Sequence, residues 1–306
     1  MMSEVLAILI SDMHIRLDAP ECRTDDYVAS QTSKLAFLSH MGKETNAPII
    51  HAGDLFDYWN VTPNVISYML EHLPEMWSVP GQHDLPYHRM DNLKDSAFHT
   101  LEKAGRIHLL DGESVLDIVN FPTSPRIQIS AFPFGRELHP SKGKISRVSH
   151  HLAVAHHLTY VKNPFPGAKD GNVREVMKKL DGYDLILTGD NHQQFTFGNI
   201  VNPGSMMRMT AKQIDHKPAM YLWYGGAKTK RVEFPISKGD VSREHVDSKD
   251  ANQERLVHFV ESVGDFEEDG IDFEVLLKKT AGKQRRGVLQ AVSDILGRAE
   301  TAKREE

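Results

Sequence analysis

The feature that most constrains the fold of this chain is a repeated pattern, in which a short apolar run stops abruptly at a cluster of polar residues rich in Asp, His and Gly. Five such runs occur, each four to six residues long. Runs of this length bounded by polar turns are typical of buried β-strands. The runs, each with the polar cluster that follows it, are 5–10 before 11–14, 47–52 before 53–57, 77–80 before 81–84, 152–155 before 156–157, and 185–188 before 189–192.

Helix-compatible segments lie between these runs, at 30–45, 63–73 and 173–180, and further strand-like runs follow at 219–224 and 230–235. Alternating strands and helices predict a layered α/β domain. Each polar cluster follows the C-terminal end of its predicted strand. Folds of this kind place their functional sites on the loops at that end.

The composition changes near Gly239. Between residues 240 and 274 there are twelve acidic residues and three Lys or Arg, and from 275 to 304 the chain is basic and helix-compatible. We therefore predict a catalytic domain over 1–239. Residues 240–306 are predicted to be an acidic linker and a basic helical tail, a candidate region for docking a partner.

The overall charge excludes little. A net charge of −6 gives no global basic surface for nucleic acid, although a local patch or bound divalent metals can supply the attraction. The single cysteine, Cys22, cannot form an internal disulfide, which fits a reducing compartment. No apolar stretch approaches the ~18 residues of a membrane span, and the apolar run near Met1 is too short for a signal peptide. We expect a cytoplasmic protein that does not enter a membrane.

The polar clusters carry the chemical signal as a set. Asp12-x-His14 or Gly53-Asp54 alone occurs often by chance. Carboxylates and imidazoles at the ends of five strands, however, would converge on one point, and nothing structural requires that convergence. Divalent metal ions do require it, because imidazole suits Zn, Fe and Mn, and carboxylate and amide oxygens favour Mn and Mg.

In their order along the chain, the clusters resemble the calcineurin-like metallophosphoesterases, whose signature reads D-x-H, G-D-x-x-D, G-N-H-[DE], H and G-H-x-H. The residues at 53–57, 187–192 and 202–205 most resemble those of the nuclease subunit of the bacterial SbcC–SbcD complex and of its bacteriophage DNA-repair relatives. The resemblance covers about residues 5 to 235. It implies an α/β/β/α metallophosphoesterase sandwich, which would here carry a helical C-terminal extension.

The resemblance also implies two divalent metal ions and a catalytic histidine. His83 would face the leaving oxygen or the transition-state phosphoryl group, and Asp84 would orient it. Asp54 would bridge the two metal ions. Asp12, His14 and His192 would complete the first site, with Asp57 as a further ligand or stabiliser. Gln82, the strand-end histidine and Asp190 would complete the second site.

Two positions depart from the family pattern. Gln82 stands where the family has Asn, and Asp190 where it has His. The extra carboxylate predicts a more oxygen-rich second site that prefers Mn, with Mg, Fe and Zn as the alternatives. The strand-end histidine is either His156 or His157, because successive residues there point in opposite directions. We favour His156, which follows the strand directly.

Three further side chains invite a functional interpretation. Arg16 is a candidate contact for a substrate phosphate or a surface ion-pair partner of Asp18 or Asp25. Arg208 is a second candidate phosphate contact. We interpret Trp59, with the other tryptophans, as a packing or rim residue rather than a base-stacking platform.

The leading hypothesis is a metal-dependent nuclease of DNA repair or recombination that hydrolyses DNA phosphodiester bonds. The resemblance implies a coiled-coil ATPase subunit as a partner, and a homodimer. A second hypothesis keeps the metals but gives them a small phosphodiester or phosphomonoester substrate. The third is a non-catalytic scaffold that retains the fold. Gln82 and Asp190 give it some weight, but both keep an oxygen that can bind metal.

Overall fold

The structure, a computed structural model, describes residues 5–117, 125–163 and 171–244. The predicted helical extension lies outside these residues from 245 onward. The strands in the described part are β1 (Ala7–Ile10), β2 (Ile49–His51), β3 (Met76–Ser78), β4 (Ile107–Leu109), β5 (Glu113–Asp117), β6 (Arg126–Phe132), β7 (His150–Ala155), β8 (Leu185–Thr188), β9 (Phe195–Phe197), β10 (Ile200–Asn202), β11 (Ala219–Trp223) and β12 (Thr229–Glu233). The helices there are α1 (Tyr27–Thr45), α2 (Pro63–His72), α3 (Ala97–Lys103) and α4 (Val173–Lys179), with short 3₁₀ turns at Gln82–Asp84, Pro86–His88, Met90–Asp95 and Ala211–Gln213.

The strands form two mixed six-stranded sheets. The first has the order β12-β11-β1-β2-β3-β4, in which β1 to β4 are parallel. The second has the order β5-β6-β7-β8-β10-β9, in which β6, β7, β8 and β10 are parallel. The five predicted strands are β1, β2, β3, β7 and β8, so all of them lie in the parallel parts of the two sheets.

The apolar residues form three layers. The middle layer packs the sheets against each other and contains Leu9 and Ile50 from the first sheet and Leu152 and Leu187 from the second. A second layer packs α1, α2 and α3 on the outer face of the first sheet, and a third packs α4 on the outer face of the second. The described part of the chain is therefore an α/β/β/α sandwich, which confirms the predicted fold class.

Local sequence explains where the helices begin. The Asp26 carboxylate accepts a hydrogen bond from the Ala29 N–H, which caps α1 and starts it three residues before the predicted segment. The Asn172 side chain caps α4 in the same way, by accepting from the Arg174 N–H. These caps fix the helices whose apolar faces cover the sheets.

The paired backbone continues slightly beyond the predicted boundary at Gly239. The Thr24 N–H donates to the Asp240 carbonyl, and the Ser242 N–H donates to the Cys22 carbonyl. Residues 240–242 thus pair with the segment that precedes α1.

Within the described residues, no helix is both long enough and apolar enough to cross a membrane.

Candidate metal centre

The candidate site lies where β1, β2, β3, β7 and β8 end. Because these strands are parallel within their sheets, their carboxyl ends lie at one edge. Backbone hydrogen bonds join the loops there: the Asp12 N–H donates to the Gly53 carbonyl, and the Gly189 N–H donates to the Ala155 carbonyl.

The backbone at these strand ends is unusual. Asp12, His14, Asp54 and Asp190 have positive φ angles, of 48°, 44°, 57° and 73°. The described residues contain eight non-glycine residues of this kind, so half of them are predicted metal ligands. Each such conformation costs on the order of 1–3 kcal/mol and persists only where the surroundings enforce it. The fold thus holds these side chains in place at a cost in stability.

Two motif glycines allow the loops to come this close. Gly53 has a φ of 93°, and a Cβ atom there would lie 2.3 Å from Nδ1 of His156. A Cβ atom at Gly81 would lie 2.1 Å from Oδ1 of Asp54. Neither position has room for a side chain, so the spacing of the motifs depends on glycine.

A first cluster contains Asp12, His14 and His192, whose ligand atoms lie within 4.8 Å of one another. The Nε2 atoms of His14 and His192 are 3.0 Å apart. Asp12 and His14 are buried. The Asp190 N–H donates to Oδ1 of Asp12, which leaves Oδ2 facing the cluster.

A second cluster contains Asp12, Asp54 and His156. Nδ1 of His156 donates to the Ala52 carbonyl at 2.7 Å, so Nε2 faces the cluster, 3.4 Å from Oδ2 of Asp54. Burial opposes a charge on this imidazole, but Asp54, Asp12 and Asp190 outweigh burial and raise the pKa of His156 to about 10. His157 lies outside the cluster, with Nδ1 against the Leu158 carbonyl.

Gln82 and Asp190 form a hydrogen-bonded pair beside the second cluster. The Gln82 Nε2 donates to Oδ1 of Asp190 at 2.7 Å. A carboxylate only accepts hydrogen bonds, so this contact fixes which end of the amide faces Asp190. The Gln82 Oε1 consequently points to His156, 2.6 Å from its Nε2.

His83 lies beside the first cluster, with its ring centroid 4.9 Å from that of His14. Nδ1 of His83 donates to the backbone carbonyl of Asp57 at 2.8 Å. The backbone N–H of His83 donates to Oδ1 of Asp54. These two bonds fix the ring and leave Nε2 as its available nitrogen.

Asp84 acts on the loops and not on the His83 ring. Its carboxylate accepts hydrogen bonds from the N–H groups of Leu55, Phe56 and Gly81. The predicted orientation of His83 by Asp84 is corrected accordingly: Asp57 holds the ring, and Asp84 joins the two loops that carry Asp54 and His83. Burial and the nearby Asp54 raise the pKa of Asp84 to about 6, although the three N–H groups oppose the shift.

The donor set fits divalent metal ions. Oδ2 of Asp12 and Oδ2 of Asp54 are buried and accept no hydrogen bond from any described residue. Buried carboxylate oxygens without partners are costly, and a cation between them would remove that cost. Three groups of described residues could hold a metal ion, and Asp12 and Asp54 each belong to two of them: Asp12 with His14 and His192, Asp54 with His14 and His83, and both with His156.

The comparison with known protein families agrees with this metal-binding chemistry. The profile of the calcineurin-like phosphoesterase superfamily domain matches residues 5–220. The chain belongs to this superfamily. A search of the curated proteins found no match for it. Its membership and its Asp/His clusters make the protein a metallophosphoesterase whose residues fit a site for two metal ions.

The two arginines considered as phosphate contacts in this phosphoesterase already have ion-pair partners. Arg16 forms ion pairs with Asp18, one of the two partners considered from the sequence, and with Asp57 at 2.7 Å. Arg208 is buried and bonds to Asp240 at 2.7 Å, so it is unavailable to a phosphate. His51, the last residue of β2, also lies outside the metal-binding groups: its Nδ1 bonds to the Ser78 hydroxyl, and burial lowers the pKa of its imidazole to about 3.

A basic groove beside His192 was not predicted from the sequence. The groove has a volume of about 710 Å³, and its lining includes Lys212, Lys217, Arg231 and a single acidic residue, Asp215. These residues come from the segment 210–217 and from β12, which are not close in sequence to any motif. Only the folded chain brings them next to the metal centre.

Proposed function

We propose that this phosphoesterase hydrolyses phosphodiester bonds of DNA. The observation that carries the proposal is the basic groove that opens at His192, because a chain of phosphates needs positive charge beyond the scissile group. A small ester would need only the metal centre. The wording of the motifs, which resembles that of repair nucleases, supports the same substrate.

The residues have distinct proposed roles. Asp12, His14, Asp54 and His192 would hold one metal ion, and Asp54, Gln82, His156 and Asp190 the other, with Asp57 beside the first. When bound, such ions supply positive charge to the phosphoryl oxygens and activate the attacking water.

His83 would act as the general acid. Its Nδ1–H is held by the Asp57 carbonyl, so a proton on Nε2 could pass to the departing oxygen. Asp84 would keep the loop of His83 at a fixed distance from Asp54. Because the attacking group is a water molecule, the reaction needs no nucleophilic side chain.

The first test is cleavage of linear single- and double-stranded DNA with Mn, with bis-p-nitrophenyl phosphate measured alongside. We expect cleavage of DNA by the wild type and a loss of about 10²–10⁴-fold in His83→Ala. Turnover of the small ester alone would favour a small-substrate phosphodiesterase. Absence of both activities and of metal binding would favour the scaffold.

The groove provides a second test, through the dependence of DNA affinity on salt. A plot of log K against log salt concentration, where K is the association constant for DNA, has a negative slope. Each phosphate contact that is lost makes this slope shallower by about 1. We expect the double variant Lys212→Ala, Lys217→Ala to make the slope shallower by up to about 2. Lys43→Ala, at the C-terminal end of α1, is the control and should leave the slope unchanged. Equal slopes in all proteins would contradict DNA binding in the groove.

The proposal includes partners and location. We propose a coiled-coil ATPase subunit and a second copy of the chain as partners, and the cytoplasm as the location. Co-purification of the full chain with such an ATPase, and its mass in solution, test the partners.

A further inference from the structure

Two tyrosines near the metal centre are exposed far beyond what an aromatic ring normally is. Tyr87 is 79% exposed and Tyr58 is 59% exposed, which makes them the two most exposed large hydrophobic residues in the described part of the chain. Exposed aromatic rings that cluster on a surface mark binding sites. Core packing does not account for them.

The two tyrosines form one surface with Trp59. The ring centroids of Tyr58 and Trp59 are 5.8 Å apart with a tilt of 33°, and those of Trp59 and Tyr87 are 6.4 Å apart with a tilt of 37°. The Trp59 ring thus lies beside each of the two tyrosine rings, tilted against both. We call Tyr58, Trp59 and Tyr87 the aromatic platform.

The aromatic platform borders the metal centre. Tyr58 follows Asp57, the residue whose carbonyl holds the His83 ring. Tyr87 follows Asp84 by three residues, in the 3₁₀ turn Pro86–His88. The platform is therefore carried by the same two loops that hold Asp57 and His83.

The backbone that carries Tyr87 is strained and tightly held. Tyr87 and His88 have φ angles of 54° and 55°, a left-handed conformation that is unfavourable for non-glycine residues. Nδ1 of His88 donates to the Gln82 carbonyl at 3.0 Å, and the Arg89 N–H donates to the Pro86 carbonyl. The turn is thus tied to Gln82, a predicted metal ligand, and the Tyr87 side chain that it carries is exposed to solvent.

We propose that the aromatic platform stacks an unpaired base of the DNA strand whose phosphodiester lies at the metal centre. This proposal rests on the proposed function. Bases stack on aromatic rings regardless of sequence, because every base has a π-face. The His83 and His192 rings both lie against His14, His192 lines the basic groove, and the platform is carried by the loops of Asp57 and His83, so one strand can have its phosphates in the groove and a base on the platform. Trp59 then has a binding role beyond that of the rim residue predicted from the sequence.

The test compares single-stranded oligonucleotides with and without bases. One substrate is oligo-dT, and the other has the same phosphodiester backbone with abasic sites near the scissile bond. We expect Tyr87→Ala to weaken kcat/KM for oligo-dT by about 5- to 150-fold and to leave the abasic substrate unaffected. Tyr87→Phe should behave as the wild type, because it keeps the ring. Equal losses on both substrates, or no loss on either, would overturn the platform.

Binding without cleavage gives an independent readout. Fluorescence of Trp59, obtained as the difference between the wild type and Trp59→Phe, should be quenched by oligo-dT and not by the abasic strand. Tyr224→Ala is the control for loss of a tyrosine and should leave the quenching unchanged. Tyr224 follows β11, which is antiparallel to β1 and therefore ends at the opposite end of the strands from the metal centre. Quenching without cleavage would support the platform and contradict the nuclease. Absence of quenching would overturn the platform, even if DNA is cleaved.

Discussion

The side chains of Gln82 and Asp190 are joined by a hydrogen bond of 2.7 Å across 108 residues of sequence. These are the two positions at which the chain departs from the pattern of its family. The structure shows that the departures are paired: Asp190 accepts from the Gln82 amide, and this turns the amide oxygen towards His156. In this chain Gln82 and Asp190 therefore form one hydrogen-bonded unit beside His156.

We expect Asp190→His to move the metal preference from Mn towards Zn. The substitution removes an anionic oxygen and the acceptor that orients Gln82, and it adds a nitrogen ligand, which Zn favours. Activity and metal affinity with Mn, Mg, Fe and Zn give the profile. Gln82→Asn and the double variant complete a cycle, with an expected coupling of about 0.5–3 kcal/mol. An unchanged preference in Asp190→His, or purely additive effects, would contradict this prediction.

We expect His83→Ala to lose activity without losing metal. General acid catalysis contributes about 10²–10⁴-fold, so kcat should fall by that factor. Calorimetric titration with Mn should give affinities close to those of the wild type. His156→Ala should instead lose the second metal ion. His40→Ala is the control for histidine removal, because His40 is exposed on α1. A large loss of Mn affinity in His83→Ala would make His83 a ligand.

We expect Asp84→Asn to destabilise the protein by about 2–3 kcal/mol. The Asp84 carboxylate accepts from three backbone N–H groups, and an amide in either orientation directs its NH₂ group at one or more of them. Urea unfolding of the metal-free protein measures the change. Asp95→Asn, on the surface, should change stability by less than about 0.5 kcal/mol. Similar stabilities for the two variants would show that Asp84 does not hold the loops.

Lys34 gives a prediction about pH. It is buried on α1, where its Nζ donates to the Met206 carbonyl at 3.0 Å, and burial, with Arg23 and Arg208 nearby, lowers its pKa to about 7. The unfolded pKa is about 10.4, so above pH 7 the unfolded chain binds a proton that the folded chain lacks, and stability rises with pH.

Lys34→Met should remove this contribution. The stability of the wild type relative to Lys34→Met should rise by about 1.4 kcal/mol per pH unit between about pH 7 and 10, and should be flat below that window. Urea unfolding at a series of pH values measures it. Lys178→Met, an exposed substitution, should show no such slope. A flat difference for Lys34→Met would mean that the folded protein keeps this lysine charged.

The sequence determined the fold class because its signals are local. The residues of β1 are apolar on both faces of the strand, a pattern that indicates a strand buried between two layers. Each apolar run of this kind stops at its polar cluster. The order of those clusters was sufficient to predict the superfamily. The glycines at 53 and 81 were visible in the motifs, although the reason for them, the close approach of His156 and Asp54, was not.

Tertiary structure decided what depends on residues that are distant in sequence. The contact between Gln82 and Asp190, the loop-joining role of Asp84 and the basic groove all arise from packing between separate loops. The left-handed backbone of Tyr87 is likewise held by the contact of His88 with Gln82, and no residue type signals it. Periodicity and motif spacing report on one segment at a time. The direction of a side chain at a strand end is set by the loops packed against it, and only the folded chain contains that information.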